Sequence, residues 1–168
     1  MKYLLNISFC IILLSTICCR DSKTATSSEN LFVLDHIPSE NFVRITVPAG
    51  ADFIFPDSAA KKEPYKIADF NADGKKDIMV YLGACGTGGC MYGLFLNQYG
   101  NYYTLGFLEY LKGAEFETGE NGYITIKSFE EVEAYNPDKL HVSVYKFNVT
   151  TSSYELDKGY ISSSDEKK

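Results

Sequence analysis

The sequence is short of the residues that most catalytic and nucleic-acid-binding sites are built from. Its 168 residues include 2 histidines, His36 and His141, which lie far apart with no motif around either. No Gly-x-Ser-x-Gly turn is present to raise a serine nucleophile, so a Ser–His–Asp hydrolase has no visible anchor. The glycine-rich stretch Gly86 to Gly89 is not followed by Lys-Ser/Thr, which excludes a P-loop. Lys and Arg number 16 against 22 acidic residues, a formal net charge of −6, and form no cluster. An acidic chain without a basic patch is a poor ligand for nucleic acid or anionic lipid headgroups. No apolar run reaches the roughly 20 residues that a membrane-crossing helix needs. The length suits one domain.

What is present begins at the amino terminus. Lys2 is followed by an apolar run from Leu4 to Leu14, of the size of a signal-peptide core. The pair Cys18-Cys19 and the polar stretch Arg20 to Asn30 come next. A hydrophobic segment that stops at a cysteine before a Ser/Thr-rich leader resembles a bacterial lipoprotein signal, in which the cysteine is lipidated and starts the mature chain. Cleavage before Cys19 leaves the small Cys18 at the cut, whereas cleavage before Cys18 leaves the bulky Ile17, so Cys19 is favoured over Cys18. Residues 1–18 are then the signal, 19–30 a flexible tether, 31–162 the folded domain and 163–168 a disordered tail. The chain is expected to be exported and lipid-anchored in the envelope, facing the periplasm or the cell surface. Disulfides persist outside the cytoplasm. With Cys10 and Cys18 lost and Cys19 lipidated, Cys85 and Cys90 remain to pair across a short glycine-rich turn. Two sulfurs are too few for a zinc site.

From Leu31 onward, short runs rich in Tyr, Phe, Val and Ile are cut by Gly, Asn, Asp and Pro, which is strand punctuation. Strands are predicted near 31–34, 42–47, 52–55, 65–68, 77–83, 91–97, 102–110, 122–128, 140–148 and 153–161. Residues 97–101 and 119–122 tolerate positive φ and suit hairpin turns. Helical turns are predicted at 57–63, capped by Asp57 or Ser58 and stopped by Pro64, and at 129–134. The fold class is all-β: an antiparallel meander of hairpins, partly propeller-like or a sandwich, with one or two short helical turns.

One motif carries chemistry. In Asp69-Phe70-Asn71-Ala72-Asp73-Gly74-Lys75-Lys76-Asp77, side-chain oxygens fall at loop positions 1, 3, 5 and 9, with glycine at 6. Calcium takes six to eight oxygens at about 2.3–2.6 Å. Asp69, Asn71 and Asp73 can turn inward about one point, Gly74 permits the bend, and the Lys75 carbonyl and Asp77 complete the protein ligands. An EF-hand needs a bidentate Glu at position 12, and Val80 stands there inside an apolar run. The ion is therefore expected to pin a turn between strands, in a structural role.

That loop resembles the calcium loop of FG-GAP/VCBS-type repeats, found in propeller blades of adhesion and surface proteins. The segment Leu94 to Tyr102 resembles the end of such a unit, and the likeness covers about 40 residues. The layout as a whole is similar to small periplasmic lipoproteins that act as immunity proteins or inhibitors of secreted lysozyme-like enzymes. That second likeness implies a propeller-like fold and non-enzymatic binding.

The remaining clusters have plainer readings. The acidic groups Glu115, Glu117 and Glu120, and Glu130, Glu131 and Glu133, read as solvated strand faces and turns, because glycosidase carboxyls must face each other across a cleft. Among Tyr99, Tyr102, Tyr103, Phe107, Tyr110 and Phe116 most belong in a core, with Tyr99, Tyr102 and Tyr103 as a possible partner surface. The expected function is non-catalytic: an exported lipoprotein with structural calcium that binds a protein or glycan of the envelope. The alternatives are the inhibitor or immunity role and a small hydrolase.

Overall fold

The computed structural model describes residues 31–133 and 136–163. The predicted signal, the predicted tether and both candidate lipidation cysteines lie outside the described residues. The chain is all-β, with two antiparallel sheets. The strands are β1 (Phe32–Ile37), β2 (Phe42–Thr46), β3 (Glu63–Ala68), β4 (Asp77–Gly86), β5 (Gly89–Tyr99), β6 (Tyr102–Leu111), β7 (Gly113–Thr118), β8 (Ile124–Glu133), β9 (Asn136–Asn148) and β10 (Ser153–Ser163). The larger sheet runs β2-β1-β6-β5-β4-β3 and the smaller β10-β9-β8-β7.

Why β4 and β5 lie inside the larger sheet, away from its edges, is written in their composition. Ile78-Met79-Val80-Tyr81-Leu82 and Leu94-Phe95-Leu96 are continuous apolar runs, and a strand covered on both faces has no call for alternation. Ile78, Val80 and Leu82 point to one side, into a core with Phe32, Leu34, Val43, Phe95 and Tyr103. Met79 points to the other, among Phe70, Leu94, Leu96, Phe107 and Leu111, and meets Ile126 and Tyr154 of the smaller sheet. The second core therefore lies between the sheets. The first is enclosed by curvature: the edge strands approach one another, and the Val43 N–H donates to the Lys62 carbonyl at 2.9 Å.

Several expectations need correction. Residues 52–55 form no strand. Their alternation is as read, with Phe53 and Phe55 packed on the first core and Ile54 at 86% exposure. The two edges of the sheet already engage each other there, so this backbone finds no strand to pair with. Nor do residues 57–63 form a helical turn. Asp57 Oδ1 does accept from the N–H groups of Ala59 and Ala60, at 3.0 and 3.1 Å. The buried Lys62 ammonium, however, takes the carbonyl of Asp57, which a continuing helix would need for the Lys61 N–H, together with those of Ala60 and Leu82. Pro64 is then accommodated in β3, which is an edge strand. The turn expected at 129–134 is strand as far as Glu133, with Ala134 outside the described residues. Two short 3-10 turns occur elsewhere, at Pro38–Glu40 and Glu120–Gly122. Strand β7 was not anticipated, and Ser163 belongs to β10, not to a tail.

Candidate metal centre

The predicted calcium turn joins β3 to β4, and its shape is set by its own carboxylates. Asp69 accepts from the N–H groups of Asp73 and Gly74, at 3.1 and 2.8 Å. Asp73 accepts from the Lys75 N–H at 2.9 Å and pairs with the Lys75 ammonium at 2.8 Å. Gly74 bends the chain at φ +83°, in the left-handed region that side chains resist. Burial pushes the Asp73 carboxyl up, but its bonds to Lys75 and Asn71 outweigh this and hold it below the usual carboxylate range.

Asn71 completes the arrangement. With its NH₂ turned toward the two carboxylates, its amide nitrogen donates to Asp69 Oδ1 and to Asp73 Oδ1, both at 3.3 Å. The side chains of Asp69, Asn71 and Asp73 thus converge within hydrogen-bond reach of one another at the centre of the turn. Calcium would be held by the same carboxylates, with the amide turned to present its oxygen. Carboxylates and a carboxamide are oxygen donors of the kind a hard cation takes, and the Lys75 carbonyl belongs to the same turn.

Asp77 behaves differently from the other three. It is fully buried. Its Oδ2 accepts from the Phe70 N–H and its Oδ1 from the Asn97 N–H of β5, both at 2.8 Å. Burial raises its carboxyl to about 6, against the pull of those two bonds and with help from the charges of Asp73 and Asp69. Asp77 thus staples the turn to the sheet behind it. Among the described residues no three His, Cys, Asp or Glu side chains form a metal cage by themselves. Calcium ligation by Asp77 would use the remaining lone pairs of oxygens already bonded to the backbone.

The turn is also the hinge-point between the sheets. The Phe70 carbonyl accepts from the Ile124 N–H at 3.0 Å, at the start of β8. The Tyr154 hydroxyl of β10 lies 2.7 Å from that carbonyl and 2.7 Å from the Ile124 carbonyl. Burial, with the nearby charges of Asp77 and Asp69, pushes this phenol far above its ordinary value, so it stays a donor. No sequence motif pointed to Tyr154. Its one signal was a tyrosine among the apolar positions of a strand, where a buried hydroxyl must find a partner.

The other predicted residues are placed as follows. Cys85 and Cys90 form a disulfide that closes the end of the β4–β5 hairpin. Tyr103 is buried in the first core and belongs to no surface, because its position in β6 faces Phe32 and Phe95. Tyr99 is 51% exposed and stacks on the half-buried Tyr102, ring centroids 4.9 Å apart. Glu117 and Glu131 are bound in ion pairs with Lys127 and Lys112. His36 and His141 sit in different sheets, in β1 and β9. Comparison with known proteins gives no matching family model, curated protein or solved structure.

Proposed function

We propose that this chain is a non-catalytic bacterial lipoprotein, exported and anchored through Cys19 (or Cys18), whose β domain binds a protein or glycan of the cell envelope. A calcium ion at Asp69, Asn71, Asp73, the Lys75 carbonyl and Asp77 holds the domain's shape. The observation that carries the calcium reading is the convergence of the Asp69, Asn71 and Asp73 side chains, with the Asn71 amide 3.3 Å from a carboxylate oxygen of each aspartate. The role is structural because the turn is tied at both ends into the fold, through Asp77 to β5 and through Phe70 to β8 and β10. An ion here stiffens a turn through which the two sheets share backbone and hydroxyl bonds around a single residue. The amino-terminal pattern supports the anchor, and the acidic balance leaves attachment to acyl chains alone.

Two measurements test this. Calcium titration followed by calorimetry should show one site, lost in Asp73→Ala, and melting should shift upward with Ca²⁺ relative to EDTA. Palmitate labelling in a bacterial host should mark the full chain and vanish when Cys18 and Cys19 are both replaced by Ala. Identical melting in Ca²⁺ and EDTA refutes the metal reading, and an unlabelled wild type refutes the anchor.

A further inference from the structure

Across one end of the larger sheet runs a row that the metal turn does not use. Glu63 of β3 pairs with Tyr81 of β4, Tyr81 with Tyr92 of β5, and Tyr92 with Glu109 of β6. Directly paired residues of antiparallel strands stand on the same face, so this is a continuous line of carboxylate, phenol, phenol, carboxylate. With strands about 4.8 Å apart, it is roughly 14 Å long. Tyr65, 45% exposed, packs against Tyr92 with centroids 4.7 Å apart and ring planes tilted by 51°. Glu63, Pro64, the three tyrosines and the Cys85–Cys90 disulfide line a cavity of about 360 Å³.

The two carboxylates of this row differ in their partners. Glu63 has Lys61 at 3.1 Å, on the exposed side. Glu109 has no ion pair among the described residues, although burial pushes its carboxyl up. The nearby Lys66 ammonium is already engaged, 4.8 Å over the Phe116 ring. No lysine or arginine lines the cavity. Aromatic faces attract cations, and arginine in particular lies flat on them while its fork bonds carboxylates. We infer that this row is a docking surface for a basic protein segment, which lays arginine side chains on Tyr65 and Tyr92 and pairs them with Glu109 and Glu63. An extended segment with arginines four residues apart spans about 13 Å, close to the length of the row. The net charge of −6 adds steering of the same sign.

This rests on the proposed binding role and names the chemistry of its partner. The test uses the full chain in calcium and a labelled, capped peptide carrying two arginines four residues apart on a Gly/Ser backbone. Fluorescence anisotropy should show binding that weakens about tenfold in Glu109→Gln and in Tyr65→Ala. Glu155→Gln, on the far sheet, should leave it unchanged, and a peptide with glutamine for arginine should not bind. Equal loss in Glu109→Gln and Glu155→Gln means attraction to net charge alone and overturns the site. So does binding of an N-acetylglucosamine oligomer, sensitive to Tyr65→Ala, in place of the peptide. Melting curves of both variants verify folding. Failure here leaves the calcium and palmitate results untouched, so the two readings fall separately.

Discussion

Replacing Asp77 by alanine removes the acceptor of two backbone N–H groups, those of Phe70 and Asn97, at a fully buried position. Each buried donor left without a partner costs about 1–3 kcal/mol, so Asp77→Ala should lose about 2–6 kcal/mol. Against a typical total of about 5–15 kcal/mol, that is a large share. Asp77→Asn is more informative. It keeps one acceptor oxygen, and it also removes a charge that the interior disfavours.

The folded chain holds the Asp77 proton up to about pH 6, above the ordinary value of 3.8. A carboxyl raised in the folded state favours folding fully below its unfolded value, and that contribution is lost as pH rises through the folded one. Between those limits the loss is at most roughly 3 kcal/mol at neutral pH. In EDTA at pH 7.5, Asp77→Asn should therefore lie within about 2 kcal/mol of wild type, since the lost bond and the removed charge oppose each other. Calcium at 100 times its Kd should then stabilise wild type by about 2.7 kcal/mol and the variant by less. Urea unfolding followed by tyrosine fluorescence or circular dichroism, at pH 5 and 7.5, in EDTA and in CaCl₂, measures all of these. An Asp77→Ala loss under about 1 kcal/mol refutes the staple. A wild type that gains stability in EDTA between pH 5 and 7.5 refutes the sign of the ionisation argument.

Three further outcomes are expected. Lys62→Met leaves the carbonyls of Asp57, Ala60 and Leu82 without their shared donor and should cost about 2–4 kcal/mol by denaturant titration, with faster hydrogen exchange across residues 47–62. Tyr154→Phe should cost about 1–2 kcal/mol, with the increased exchange concentrated in β8 and β10. A methyl group on Gly89 would lie 2.3 Å from the Leu111 backbone at φ +109°, so Gly89→Ala should destabilise by more than about 2 kcal/mol in thermal melts, whereas Gly100→Ala meets open space and pays only its φ strain.

The elements that could be read from the sequence are those whose partners are close along the chain. Hairpins β4–β5, β5–β6 and β9–β10 follow from apolar or alternating runs around glycine and asparagine turns. Strand β7 escaped notice because it is short and follows β6 after one residue. Its alternation was nonetheless present: Ala114 and Phe116 pack inward, while Glu115 and Glu117 face out. Residues 52–55 show the converse, a correct period with no edge left to pair. In the metal turn the spacing of Asp69, Asn71, Asp73 and Gly74 was legible because a nine-residue loop closes on itself. What Asp77 does was not, because its second donor, Asn97, lies 20 residues away. The clamp on Phe70 is more distant still, 84 residues from Tyr154. Long-range polar bonds leave no periodic trace.

One pairing gives the chain a folding order. Among the described residues every sheet neighbour is consecutive in sequence except β1 beside β6, a short junction that pairs Phe32 with Tyr103 and Val33 with Tyr102 and sets the Leu34 N–H on the Asn101 carbonyl. Contacts that close long loops form late, since the entropy of closure precedes any reward. A polypeptide threaded amino-end first thus completes the β1–β2 hairpin at Thr46, 56 positions before Tyr102 opens the strand that receives it. That hairpin must wait, apolar side bare, until Tyr102 and Tyr103 emerge, and in that interval it is the part of the molecule most in need of a chaperone.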